Sequence, residues 1–180
     1  MKDYDYSQNG YYYITICTHD RKCCFGKIIN GKIQLSKIGE IVLYEWHRSP
    51  KIRHEITLDK FIVMPNHVHG IVIIDNECMM HPNVGATGRS PLQKSIGPPK
   101  KSLGAFVAGF KSITTKRINV LHNTPGIPFW QRNYYEHIIR NEDELNRIRK
   151  YIINNPLQWE TDKNNPNNRQ IKNSKRKIWF

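Results

Sequence analysis

The chain has 180 residues, the length of one ordinary domain. Its 28 Lys and Arg against 15 Asp and Glu give a formal charge of +13 and a pI near 9.7, a balance that favours a polyanionic partner, nucleic acid first. No apolar run approaches the roughly 18 residues of a membrane span, and MKDYDYSQNG carries no signal-like apolar core, so the expected protein is cytoplasmic, with no membrane partner.

YYYITICT (11–18) alternates aromatic and β-branched residues and predicts a strand with one buried face. IINGKIQL (28–35) places Asn30-Gly31 between apolar runs and predicts a hairpin. Ser36 is a candidate N-cap for a helix on which Ile38, Ile41, Val42, Glu45 and Trp46 recur at helical spacing to about Arg48. EITLDKFIVM (55–64) and HVHGIVII (67–74) read as two strands interrupted by Pro65-Asn66, either a hairpin or one strand bent by a bulge.

From Asp75 to Lys101 the sequence is rich in Gly, Pro and Ser without periodicity, which predicts a mobile loop. SLGAFVAGFKSITTKRINVLH (102–122) predicts a second helix capped by Ser102, and YYEHIIR (134–140) a short strand. NEDELNRIRKYIINNP (141–156) predicts a third helix, with Asn141 and Glu144 in a capping-box pattern and Pro156 as its stop. We therefore expect one domain over 1–160 and a basic, Asn-rich tail over 161–180, containing Arg169, Lys172, Lys175, Arg176 and Lys177. The spacing of Cys17, Cys23, Cys24 and Cys78 fits neither a zinc ribbon nor a disulfide framework, so they read as reduced thiols.

Side chains alternate along a strand, so His67 and His69 project from one face and Val68 from the other. Two imidazoles so placed can converge on one cation, although strand histidines more often serve as ordinary surface or core residues. Tyr151 and Asn155 lie one helical turn apart, where Asn155 can offer a carbonyl oxygen as a third ligand. A phenol beside a cation that polarises a phosphodiester can attack phosphorus; the alternative for Tyr151 is packing behind Leu145, Ile148 and Ile152. Tyr134 and Tyr135 are rival nucleophiles. Lys100, Lys101, Lys111, Lys116 and Arg117 lie in a stretch without acidic residues and are candidate phosphate contacts. Gln131 and Arg132 either touch DNA or brace the sheet.

FIVMPNHVHGIV, KSLGAFVAGFKSITTKRIN and FWQRNYYEHIIRNEDELNRIRKYIINNPLQW, in that order, resemble the REP-associated tyrosine transposases. These belong to the single-tyrosine enzymes with a His-hydrophobic-His (HUH) motif, and the resemblance spans about Tyr11 to Trp159. It implies an α+β ferredoxin-like sandwich, an antiparallel sheet with helices packed on it. It further implies a transposase acting on single-stranded or hairpin DNA through a 5′-phosphotyrosine and a divalent cation, Mg²⁺ or Mn²⁺. Tyr151 matches the nucleophile, His67 and His69 the metal-binding pair, and Asn155, where many relatives carry Gln, the helical position completing the metal site. Such proteins include homodimers and monomers, and the short linker before the Tyr151 helix favours a site completed within one chain. The alternatives are a hairpin-binding protein that does not cut and a metal nuclease that uses water.

Overall fold

The computed structural model describes residues 5–76 and 98–168. Strand β1 (Gly10–Cys17) is followed by the hairpin β2 (Gly26–Ile29) and β3 (Lys32–Leu35), helix α1 (Lys37–Ile52), strands β4 (Ile56–Val63) and β5 (His67–Ile74), helix α2 (Leu103–His122), strand β6 (Tyr135–Ile139) and helix α3 (Glu142–Asn154). β4, β5, β1 and β6 form one sheet in that order, antiparallel at every pairing. The two central strands are the first and third of the four, which is the order of the expected ferredoxin-like α+β sandwich.

The alternation in β1 sorts its side chains between two layers. Tyr12, Ile14 and Ile16 face the larger core with Val68 and Val72 of β5, Val42 and Trp46 of α1, and Phe106, Val107 and Phe110 of α2. Tyr13 and Ile71 face the other way and meet Leu145 and Ile152 of α3. Trp46 stacks on Phe61 at 4.1 Å between ring centroids and takes the edges of Phe106 and Phe110, so it anchors the larger core.

Local signals act as the sequence predicts at the hairpin and at the caps. Asn30 and Gly31 both take positive φ, 50° and 70°, and turn β2 into β3. Ser36, Ser102 and Asn141 each accept a backbone N–H three residues on. The capping box of α3 is altered, because the Glu144 carboxylate reaches the N–H of Arg140 and the His137 ring rather than Asn141. α1 runs one turn further than expected, with Pro50 inside that last turn.

Residues 55–74 form a hairpin, with a register shift between Leu58 and Phe61. Asp59 lies in that irregularity and takes two contacts from Arg149, Nε at 2.8 Å and Nη2 at 2.6 Å, tying α3 to the sheet. The chain does not leave the domain at Pro156. It continues as a 3-10 turn, Asn155–Thr161, burying Trp159 and then Asn164 and Asn165. Most of the predicted 75–101 loop, Cys78 and the basic cluster from Arg169 to Lys177 lie outside the described residues. Cys17, Cys23 and Cys24 are not joined in a disulfide. Among the described residues no helix is long and apolar enough to cross a membrane.

Candidate active site

His67 and His69 point from β5 towards the α3 layer and are almost wholly buried, at 0% and 1% exposure. Their Nε2 atoms stand 3.0 Å apart. Both rings are neutral. Burial, with the positive charges of Arg21 and Lys163 adding to it, pushes His67 down to about 3, and burial holds His69 well below the ordinary histidine range. The Asp162 carboxylate, brought back by the 3-10 turn, lies 3.8 Å from His67 Nε2. With the ring neutral this approach is no ion pair and leaves the carboxylate available to a cation. The three side chains offer ligand atoms within 4.8 Å of one another and can hold a metal ion.

The other nitrogen of each ring is also engaged. His67 Nδ1 meets Asn66 Oδ1 at 2.8 Å. His69 Nδ1 meets the hydroxyls of Tyr13 at 2.7 Å and Thr15 at 2.9 Å. Such outer contacts fix ring orientation, and an acceptor on the far N–H raises a ring's basicity as a ligand.

α3 delivers Tyr151 to the same point. Its ring centroid is 5.3 Å from that of His69 and 6.2 Å, edge-on, from that of Tyr13, while 39% of the residue stays exposed. Burial and then the Asp162 charge raise the phenol above its ordinary value, partly offset by hydrogen bonds from Asn155 and Tyr13. Asn155 is 1% exposed and its Oδ1 is buried with no hydrogen-bond partner. An orphaned buried carbonyl costs about 1–3 kcal/mol, and a cation beside the histidines would satisfy it. The donor set, two imidazole nitrogens with an amide and a carboxylate oxygen, suits a divalent ion.

A cavity of about 460 Å³ opens over this constellation, lined by Tyr13, His69, Tyr151, Arg21, Lys163 and Gln131 among others. Tyr134 and Tyr135 line it too, but the rings in contact with His69 among the described residues include Tyr13 and Tyr151 rather than either rival. Lys111 donates to the carbonyls of Gln131, Arg132 and Asn133 and lies over the Tyr134 ring, so it braces the cavity wall. Arg117 pairs with buried Glu45 and covers Tyr44. Lys100, Lys101, Lys116 and Arg132 are exposed. Lys100, Lys101 and Lys116 belong to α2 and its lead-in, on the opposite side of the sheet from α3.

The sequence reading missed Tyr13, Thr15, Asn66 and Asp162, and the cations Arg21 and Lys163. Thr15 pairs with His69 across the β1–β5 register, a relation visible only once that register is known. Asp162 follows Tyr151 by an irregular stretch with no periodic signal.

The sheet order and the helices packed on it give the chain the fold of a REP-associated tyrosine transposase. A solved structure of such a transposase bound to a REP hairpin aligns with 88% of this chain and 74% of its own, with a TM-score of 0.56 and 16% identity. The chain belongs to one family with an uncharacterized protein of Haemophilus influenzae (strain ATCC 51907 / DSM 11121 / KW20 / Rd), 38% identical over 162 residues, 90% of this chain and 88% of the relative. No protein-family model matches the chain.

Proposed function

We propose that the protein is a metal-dependent, transposase-type enzyme that nicks and rejoins single-stranded, hairpin-forming DNA through a covalent bond to Tyr151. The observation that carries this reading is the meeting, within one chain, of two neutral imidazoles, an orphaned Asn155 carbonyl and a partly exposed tyrosine. His67, His69, Asn155 and Asp162 would hold Mg²⁺ or Mn²⁺, which when bound supplies Lewis-acid polarisation of a phosphodiester. Arg21 and Lys163 place positive charge at the cavity where a phosphate would enter. The Tyr151 oxygen attacks phosphorus, a Tyr–O–P bond forms to the 5′ side of the downstream segment, and the P–O3′ bond breaks. The phenol proton is lost and the departing 3′ oxygen gains one, so the upstream segment ends in a free hydroxyl. Rejoining is the reverse attack by a 3′-hydroxyl.

Exposed Lys100, Lys101, Lys116 and Arg132, together with Gln131 in the cavity wall, are the DNA contacts this reading favours. Lys111 and Arg117 would have to exchange their internal partners to join them. No residue of a second subunit is needed, although the reading leaves room for a homodimer. The test incubates the protein with end-labelled hairpin oligonucleotides and Mn²⁺. The reading expects a denaturation-resistant adduct carrying the downstream segment, and an upstream fragment extendable by a polymerase. Cleavage without an adduct would make it a water-using nuclease, and binding without cleavage a hairpin-binding protein.

A further inference from the structure

One amide fixes which nitrogen of each of the two histidines carries its hydrogen. Asn66 Nδ2 faces two acceptors, the carbonyls of Arg21 at 3.0 Å and Asn164 at 2.8 Å, so Oδ1 is the atom that meets His67 Nδ1. An amide oxygen only accepts, so His67 carries its hydrogen on Nδ1 and a lone pair on Nε2. His69 Nε2, 3.0 Å away, must therefore bring the hydrogen between them. That leaves His69 Nδ1 bare, an acceptor for the hydroxyls of Tyr13 at 2.7 Å and Thr15 at 2.9 Å. The chain runs one way, from the hydroxyls of Tyr13 and Thr15 to His69 to His67 to Asn66.

A neutral imidazole can ligate a cation through Nε2 only when its hydrogen sits on Nδ1. His67 already meets this condition, and His69 does not. For His69 to ligate, its hydrogen must pass from Nε2 to Nδ1, with no net gain or loss of protons. Nδ1–H then needs an acceptor, which the oxygens of Tyr13 and Thr15 supply. Once Tyr13 accepts from His69, its own hydrogen is withdrawn from that ring and is left to Tyr151, which lies edge-on beside it and already shares a hydrogen bond with it.

We propose that Tyr13 is a positioning residue whose hydroxyl is shared between His69 and Tyr151 in the metal-free protein and turns to Tyr151 alone once His69 ligates a cation, so that the nucleophile is held more firmly in the loaded site. The inference rests on the metal-dependent reading above and adds a link between its two halves. That link is local, because Tyr13 touches both partners from the centre of the sheet.

The test follows imidazole ¹⁵N signals and the Tyr151 ring ¹³Cζ signal as Zn²⁺, a diamagnetic probe, is added to wild type, Tyr13→Phe and Thr15→Val. Wild type should show His69 with hydrogen on Nε2 before Zn²⁺ and on Nδ1 after, with a Tyr151 shift that saturates together with it. Tyr13→Phe keeps the ring, and Thr15 can still accept from Nδ1–H, so its Zn²⁺ affinity should fall less than about tenfold while the coupled Tyr151 shift is lost. Thr15→Val should retain that shift. A Tyr151 shift of wild-type size in Tyr13→Phe would overturn the inference, as would hydrogen on His69 Nδ1 before Zn²⁺ is added. If the histidine signals of wild type ignore Zn²⁺, the metal reading fails and the link fails with it.

Discussion

His67 and His69 direct their Nε2 atoms at each other across 3.0 Å, and only one hydrogen is available to that contact. Between the two rings that contact amounts to one hydrogen bond, whereas a cation would engage a lone pair on each. Mn²⁺ should therefore raise the melting temperature of wild type in a concentration-dependent way, as any ligand of the native state does. His67→Ala and His69→Ala should fold and lose that response. Calorimetry showing wild-type Mn²⁺ affinity in either variant would contradict the assignment.

Asp162→Ala and Asn155→Ala test the oxygen side of the same site. Each should lower Mn²⁺ affinity by about tenfold or more, since even outer contacts of metal ligands are worth that much. Asp162→Ala should also bring the Tyr151 phenol down towards its ordinary value in the metal-free protein, because the Asp162 charge helps to hold it up. Ultraviolet titration of tyrosinate absorbance against wild type checks this; a phenol that rises instead would contradict it.

Acid should destabilise the metal-free protein through the same two rings. Folded His67 takes a proton only near about 3 and His69 is also held low, whereas unfolded histidines take one near 6.5. The unfolded state binds more protons in this window, so stability is fully present above about 6.5 and is lost as pH falls towards 3. Urea midpoints of chelator-treated protein should drop between pH 7 and 4.5, with a shallower drop for His67→Gln. Midpoints that rise on acidification would contradict the neutral pair.

Gly70 separates the site from the core by one strand position. A Cβ there would meet Trp46 Cζ2 at 2.5 Å and Cη2 at 2.6 Å, and Trp46 is held by Phe61, Phe106 and Phe110. Gly70→Ala should cost about 1–3 kcal/mol of stability. Its folded fraction should still bind Mn²⁺, because His67 and His69 face the opposite layer. Denaturant curves and calorimetry together check both halves.

Much of this arrangement is legible in the sequence where periodicity is local. The strand period alone places His67 and His69 on one face, the helical period places Asn155 under Tyr151, and Ser36, Ser102 and Asn141 announce their helices. What the sequence conceals is pairing and return. Nothing in YYYITICT tells that Thr15 will sit opposite His69, because that depends on the β1–β5 register. Asp162 and Asn164 read as polar tail, yet a 3-10 turn and buried Trp159 bring them back against the histidines. Among the basic residues, Lys111 and Arg117 carry internal carbonyl and carboxylate partners that nothing in the sequence announces.

The central claim is that Tyr151 forms the bond to DNA, and peptide mass mapping of the trapped adduct tests it most directly. Wild type and Tyr151→Phe are incubated in parallel with single-stranded hairpin DNA and Mn²⁺, then digested and mapped. Tyr151→Phe removes one oxygen and keeps the ring, so it should fold, bind Mn²⁺ and bind the hairpin within about twofold of wild type, the net worth of the hydrogen bonding it loses to Asn155 and Tyr13 being small. The account predicts DNA on the Tyr151 peptide of wild type and no adduct or nick with Tyr151→Phe. An adduct mapped to Tyr134, Tyr135 or Tyr13, or one that persists in Tyr151→Phe, would contradict it.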